Sequence, residues 1–313
     1  MSDRKAPRDY IGSILTDLGA QNPNLILLDA DFNTASKITG FRDRFPERFV
    51  QVGIAEQNMM GIAAGLSTFG YIPIVSTIAT FCSRRACDQV TTSIALPRLN
   101  VKILGLYAGL FVGKNGASHQ SLEDIAIMRA IANMVVLQPV DVVETRSMLA
   151  FAMAWDGPVY MRIGRDPVPQ FVPDDYQFQL GKSMVLRDGR DVTLVAYGDL
   201  MEETLLAADR LQQKGIHARV INASSIKPID EEVLLLAAQE TGCMVTIDNH
   251  NIYGGVGSAV AEVLSEKHPI RIKRVGVNDV FGKSGTNEQM METFGLNAEA
   301  IEKKVIAFMD QKP

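Results

Sequence analysis

Glu56 is the first residue whose type and setting could do chemistry. It stands in Arg48-Phe-Val-Gln-Val-Gly-Ile-Ala-Glu-Gln-Asn-Met-Met-Gly-Ile-Ala-Ala-Gly65, which reads as a strand ending near Val52 and a helix opening around Glu56. A carboxylate there lies at the carboxyl end of a parallel strand, where open α/β sheets bind ligands. It is equally a helix-start acid favoured by the dipole. The helix behind it carries Gly61, Ala63, Ala64 and Gly65. An interior glycine costs roughly 1 kcal/mol against alanine, and close packing against another helix or a cofactor is the usual reason to keep one. His119, after Gly116-Ala-Ser, reads by its own setting as a surface loop residue.

Other motifs fail on spacing. Gly282-Lys283-Ser284 and Gly181-Lys182-Ser183 end like phosphate-binding loops, but Val277 and Tyr176 stand where the first glycine belongs. Gly254-Gly-Val-Gly257 follows a strand and opens a helix, yet Val260 occupies the last position of a dinucleotide fingerprint. A tight turn into a helix is the simpler reading. The four histidines show no metal-ligand spacing.

The elements that must position Glu56 and His119 come in βα order. Strands are expected at Asn24–Ala30, Arg48–Val52, Ile72–Thr77, Val101–Tyr107, Val135–Gln138 and Pro158–Ile163. Helical patterns lie near Tyr10–Leu18, Glu56–Thr68, Arg84–Ile94, Leu122–Ala132 and Val142–Trp155. The strands are continuous apolar runs, the mark of a parallel sheet covered on both faces. Arg165–Leu180, with Pro167, Pro169 and Pro173, breaks the pattern and reads as a linker. A second series follows, with strands near Val192–Ala196, His217–Ile221, Met244–Asp248 and Ile272–Val275. Its helices are near Met201–Lys214, Asp230–Thr241, Gly257–Lys267 and Asn297–Met309. The expected fold is two consecutive α/β domains: 1–175 with about six parallel strands, a linker at 176–188, and 189–313 with a smaller mixed or parallel sheet.

The chain has 313 residues, 47% hydrophobic and 21% charged, with formal net charge −5. That excludes general attraction to nucleic acid or an anionic membrane. No apolar run of about 20 residues is present to span a bilayer. Three cysteines without a C-x-x-C motif argue against a disulfide framework and for a reducing cytoplasm. The start, Met1-Ser-Asp-Arg-Lys-Ala-Pro-Arg, has no apolar segment behind it that would make a signal peptide.

Val52-Gly-Ile-Ala-Glu56-Gln resembles the signature of the pyrimidine-binding domain of transketolases and of 1-deoxyxylulose-5-phosphate synthase. Further matches follow in order: Pro73–Val90, with Phe81, Asp88 and Gln89; Gly116–Arg129, with His119; and Val159-Tyr-Met-Arg162-Ile-Gly-Arg165. Lys227-Pro-Ile-Asp230 and Asp248–Gly257 resemble the family's C-terminal domain. The resemblance implies roles for these residues. Glu56 would hydrogen-bond N1′ of the thiamine diphosphate aminopyrimidine, so that the exocyclic nitrogen can take the thiazolium C2 proton. That role needs a carboxyl group able to share a proton at neutral pH, as burial among apolar groups allows. Phe81 would stack on the aminopyrimidine, with Ile78 and Asp31 beside the cofactor. His119 would face the reacting carbon. Arg165 would grip the substrate's phosphate with help from Arg8.

Two departures bear on substrate. Asn115 stands where transketolases usually carry an aspartate, and Tyr107 where they often have a phosphate-binding histidine. Both point away from the standard pentose-phosphate pair. The family's Gly-Asp-Gly segment, which holds the diphosphate through Mg²⁺, is absent; Gly198-Asp199-Leu200 is the nearest string. The resemblance therefore implies a separate N-terminal subunit carrying the diphosphate and Mg²⁺ half, in an α2β2 heterotetramer with an interface around Glu56. Two other readings compete. The β subunit of a 2-oxo-acid dehydrogenase, or a 1-deoxyxylulose-5-phosphate synthase-like enzyme, shares the domain pair, and a scaffold subunit could keep the fold without chemistry.

Overall fold

The computed structural model describes residues 4–311. Residues 1–3, where the segment read as leaderless begins, and 312–313 lie outside the described residues. The chain divides into two compact units. One comprises the residues up to Ala108 together with Ile127–Gln179; the other comprises Gly109–Ala126 and the residues from Leu180 onward.

The first unit is built on β1 (Leu25–Asp29), β2 (Phe49–Gln51), β3 (Ile72–Ile78), β4 (Lys102–Leu106), β5 (Val135–Leu137) and β6 (Val159–Ile163). These strands lie in the order β5-β6-β4-β3-β1-β2, and every pairing among them is parallel. β1, β4, β5 and β6 are buried at every position, as their unbroken apolar runs require. In register, Asp29 sits between Gln51 on β2 and Ser76 on β3. The carboxyl ends therefore form one rim.

Five helices accompany this stretch: α1 (Pro7–Gln21), α2 (Thr39–Arg44), α3 (Glu56–Thr68), α4 (Asp124–Ala130) and α5 (Val142–Ala154). α1 opens with Pro7, whose fixed φ suits the first helical position, and buries Ile11, Ile14 and Leu15 on one face. Gly12 is obligatory there, since a Cβ would fall 1.9 Å from the Lys37 carbonyl oxygen. Asp141 starts α5. Its Oδ1 accepts from the Glu144 amide at 2.8 Å, and its Oδ2 accepts from the Phe171 and Val172 amides at 2.7 and 3.0 Å.

The second unit contains β7 (Met184–Arg187), β8 (Val192–Ala196), β9 (Ala218–Asn222), the short β10 (Ser225–Lys227), β11 (Cys243–Asn251) and β12 (Arg271–Val277). Its sheet runs β12-β11-β8-β9-β7, parallel except where β7 meets β9. Its helices are α6 (Met201–Gln213), α7 (Glu231–Thr241), α8 (Val256–Lys267), α9 (Asn287–Phe294) and α10 (Ala298–Met309). The Gly254–Gly257 turn does open a helix, and the chain itself fills the helix N-terminus. Buried Asp248 accepts from the Val256 and Gly257 amides, each at 3.1 Å, and from the Tyr197 hydroxyl at 2.9 Å. Burial pushes the Asp248 carboxyl above its usual range, while His250, Tyr197 and the two amides pull it back.

Some elements differ from expectation. The helical pattern at Arg84–Ile94 is instead two widened, π-type turns, Phe81–Arg85 and Gln89–Ala95. The Ser83 hydroxyl and Cys82 thiol both donate to the Ala79 carbonyl, at 2.7 and 3.2 Å, and such side-chain bonds compete with the regular ladder. α9, not anticipated, is set by a Thr286/Gln289 capping box. β7 lies within the stretch read as linker and is held by its pairing with β9.

Candidate active site

Glu56 is the first residue of α3, and Gly53, at φ +70°, makes the turn that delivers it. It is 1% exposed. Its Oε2 accepts from an Arg85 Nη at 2.6 Å, and the Arg85 guanidinium lies 4.0 Å from the centre of the Phe81 ring. Phe81 and Arg85 sit four residues apart on one π-type turn after β3, a winding frequent at functional sites. Glu56 and Phe81 are thus brought together through Arg85. Ile78, also buried, ends β3 three residues before Phe81.

Asp31, exposed, is the turn residue after β1 at φ +59°, a conformation aspartate tolerates. The anchor of that turn is Asp29, fully buried at the end of β1. Its Oδ2 accepts from the Phe32 amide (2.8 Å), Gln51 Nε2 (2.7 Å) and Asn33 Nδ2 (3.3 Å). Gln51 Oε1 in turn accepts from the Asp31 amide at 2.9 Å. Sequence reasoning passed over Asp29 and Arg85. The signals were present: a lone acid closing an apolar strand, and an arginine one turn from Phe81.

A second cluster forms around Tyr107, which follows β4 and is 8% exposed. Arg8 donates to its hydroxyl at 2.6 Å. The Arg8 and Arg165 guanidiniums lie 5.3 and 5.0 Å from the ring centre, and Phe32 meets the ring edge-on at 5.2 Å. The aromatic residue sits at φ +56°, a costly conformation for a bulky side chain and one that collects at ligand sites. Arg8 lies in the first turn of α1, where the dipole disfavours a cation; Asp9, paired with it at 2.9 Å, offsets this. Burial works against the Arg8 charge, yet Tyr107 and Asp9 hold its pKa above the usual arginine value.

His119 and Asn115 lie in Gly109–Ala126, within the second unit. Asn115 is exposed and ends a short 3₁₀ turn. His119 is half-buried, its Nδ1 2.9 Å from Ser118 Oγ. Four hydrogen bonds within that unit fix this loop. Asn249 Oδ1 accepts from the Leu110 amide at 2.8 Å, Gln120 donates to the Leu110 and Lys283 carbonyls at 3.0 and 2.9 Å, and the Asn251 amide donates to Leu122 at 2.8 Å. Gly116, at φ +75°, lets Ser284 approach, since a Cβ there would meet its Oγ at 2.5 Å.

No three His, Cys, Asp or Glu side chains come together as a metal cage among the described residues. A cavity of about 260 Å³ in the first unit, lined by Lys5, Tyr10, Asp141, Arg146 and Asp174, contains none of the candidate site residues. The helix glycines have no partner among the described residues of this chain: a Cβ at Gly61 or Gly65 would meet nothing within 4 Å. Near them Ile54 and Phe69 are 73% and 82% exposed. The Glu56–Phe81 pair fits an aminopyrimidine. A planar group carrying N–H donors already lies on the ring and bonds the buried carboxylate.

Comparison with known proteins places the chain among its relatives. The transketolase pyrimidine-binding domain model matches residues 4–170, and the transketolase C-terminal domain model matches 181–301. The 6-deoxy-6-sulfo-D-fructose transketolase subunit SqwH of Clostridium sp. strain MSTE9 is 43% identical over 94% of this chain and 91% of its own. One of the subunits of the apulose-4-phosphate transketolase of Phocaeicola vulgatus is 37% identical over 97% of each chain. A solved split-gene transketolase, an inactive beta4 tetramer, superposes with TM-score 0.92 at 46% identity over 98% of this chain and 99% of that one. The chain belongs to the transketolase family of transferases, with the pyrimidine-binding and C-terminal domains of a split transketolase in one polypeptide.

Proposed function

We propose that this chain is the catalytic-glutamate subunit of a thiamine-diphosphate-dependent transketolase that moves a two-carbon ketol unit between anionic sugars. The observation that carries the reading is the buried Glu56 carboxylate, bonded at 2.6 Å to a planar donor that lies on Phe81. Glu56 would hydrogen-bond N1′ of the aminopyrimidine and share a proton with it. Phe81 would hold the ring flat, with Ile78 at its edge and Asp31 near the cofactor. When bound, the cofactor supplies a carbon nucleophile and an electron sink for the donor ketose.

His119, with Ser118 against Nδ1, would hand a proton to or from a substrate oxygen through Nε2. Asn115 would read a substrate hydroxyl. Arg8 and Arg165, both against Tyr107, would hold the anionic end of the sugar. Two relatives carry a sulfonate and a phosphate sugar in their names, and two guanidiniums suit either anion.

The diphosphate and Mg²⁺ would be held by an N-terminal partner subunit in an α2β2 assembly. The uncovered glycine face of α3 beside Ile54 and Phe69 supports an interface there. Cys82, Cys87 and Cys243 form no disulfide with one another, which supports a reducing cytoplasm. No helix among the described residues is long and apolar enough to cross a membrane.

The test is reconstitution with the partner, Mg²⁺ and thiamine diphosphate. Ketose cleavage is expected, and Glu56→Ala should remove most of it. Full activity in Glu56→Ala would refute the role. Turnover of pyruvate with an artificial electron acceptor would instead favour the 2-oxo-acid dehydrogenase reading.

A further inference from the structure

Arg85 makes the two contacts that the proposed site reserves for the cofactor. Its guanidinium is planar, donates to Glu56 Oε2 at 2.6 Å, and lies 4.0 Å over Phe81. A group that lies on Phe81 while bonding Glu56 excludes any other group from doing both. The pair is also lopsided: the Glu56 side chain is 2% exposed and that of Arg85 43%. The carboxylate is fixed by burial, whereas the guanidinium has solvent on its far side and a flexible stem on which to leave. Glu56 Oε2 already accepts the Arg85 bond. A ring nitrogen that takes this oxygen must displace that bond.

We infer that Arg85 is a built-in placeholder that occupies the aminopyrimidine position in the cofactor-free chain and must swing out when the cofactor binds. The inference rests on the reading of Glu56 and Phe81 as the pyrimidine site. While Arg85 is in place, the buried carboxylate is not left unpaired, and Phe81 is covered rather than bare. The chain can therefore fold and persist without cofactor, at the cost of weaker cofactor binding. Arg85 is a positioning residue here and takes no part in the chemistry.

The test is calorimetry of thiamine diphosphate binding, with Mg²⁺, to the reconstituted complex. Arg85→Ala and Arg85→Gln should bind about tenfold more tightly than wild type. That factor is what losing a hydrogen bond to a buried charge is worth after allowance for the half-exposed guanidinium. A residue with a merely structural role would weaken binding when removed. Arg85→Gln keeps the stem and drops the charge, so it separates the bond from packing. Equal or weaker binding by both variants overturns the placeholder. No binding by wild type or by either variant overturns the reading of Glu56 and Phe81 beneath it.

Discussion

Replacing Lys102 with methionine should abolish a rise in stability with pH that the wild type shows. Lys102 opens β4 and is 1% exposed, with Nζ donating to the Trp155 and Gly157 carbonyls, each at 2.7 Å. Burial lowers its pKa from 10.5 to about 7, and the charge of Asp156 restores only part of the loss. Two donated bonds need only two N–H groups, so the neutral amine satisfies both carbonyls. The sign follows from proton counting. Between about pH 7 and 10.5 the unfolded chain holds a proton on this amine and the folded chain does not, so stability rises with pH. Below about pH 7 both states bind it and this group adds no slope. From pH 7 to 9 the folded pKa predicts a gain of about 2 kcal/mol. The assay is urea denaturation at several pH values, followed by the fluorescence of Trp155, the single tryptophan and a direct neighbour of the amine. The difference between wild type and Lys102→Met should widen by about that amount from pH 7 to 9. Parallel profiles would refute the reasoning, because every other titrating group cancels in the difference.

Further outcomes are expected from other sites. Gly65→Ala should stabilise the isolated chain by up to about 1 kcal/mol, because a Cβ there meets nothing in this chain; sedimentation with the partner should show weaker assembly. Tyr107→Phe removes the acceptor of the 2.6 Å Arg8 bond, so kinetics should show a severalfold higher KM for the anionic substrate with kcat little changed. Asp141→Ala strips three amides, two of them buried, of their acceptor, and thermal melting should show a loss of about 3 kcal/mol.

Much of the fold was legible because its physics is local. Leu25–Asp29 and Val159–Ile163 are unbroken apolar runs, and such runs mean buried parallel strands wherever they fall. Glu56 was legible because strand, turn and helix abut in sequence. Arg85 was not, since its contact with Glu56 spans 29 positions and depends on a widened turn that side-chain bonds to Ala79 create. The period of Arg84–Ile94 suits a regular helix, and no local count of apolar residues reports that competition. The Tyr107 cluster was half legible. The residues were singled out one at a time, but stacking by both Arg8 and Arg165 on one ring joins α1 to the ends of β4 and β6, an arrangement only the sheet order makes.

The two guanidiniums at Tyr107 are an island of positive charge on a chain of net charge −5. An approaching anion is repelled by the whole and attracted by the part, over different ranges. Dissolved salt screens the distant repulsion first, beyond roughly 10 Å at 0.1 M, and the contact attraction last. Capture of an anion at this end of the sheet should therefore be fastest at intermediate ionic strength, unlike a uniformly basic cleft, where added salt only slows arrival.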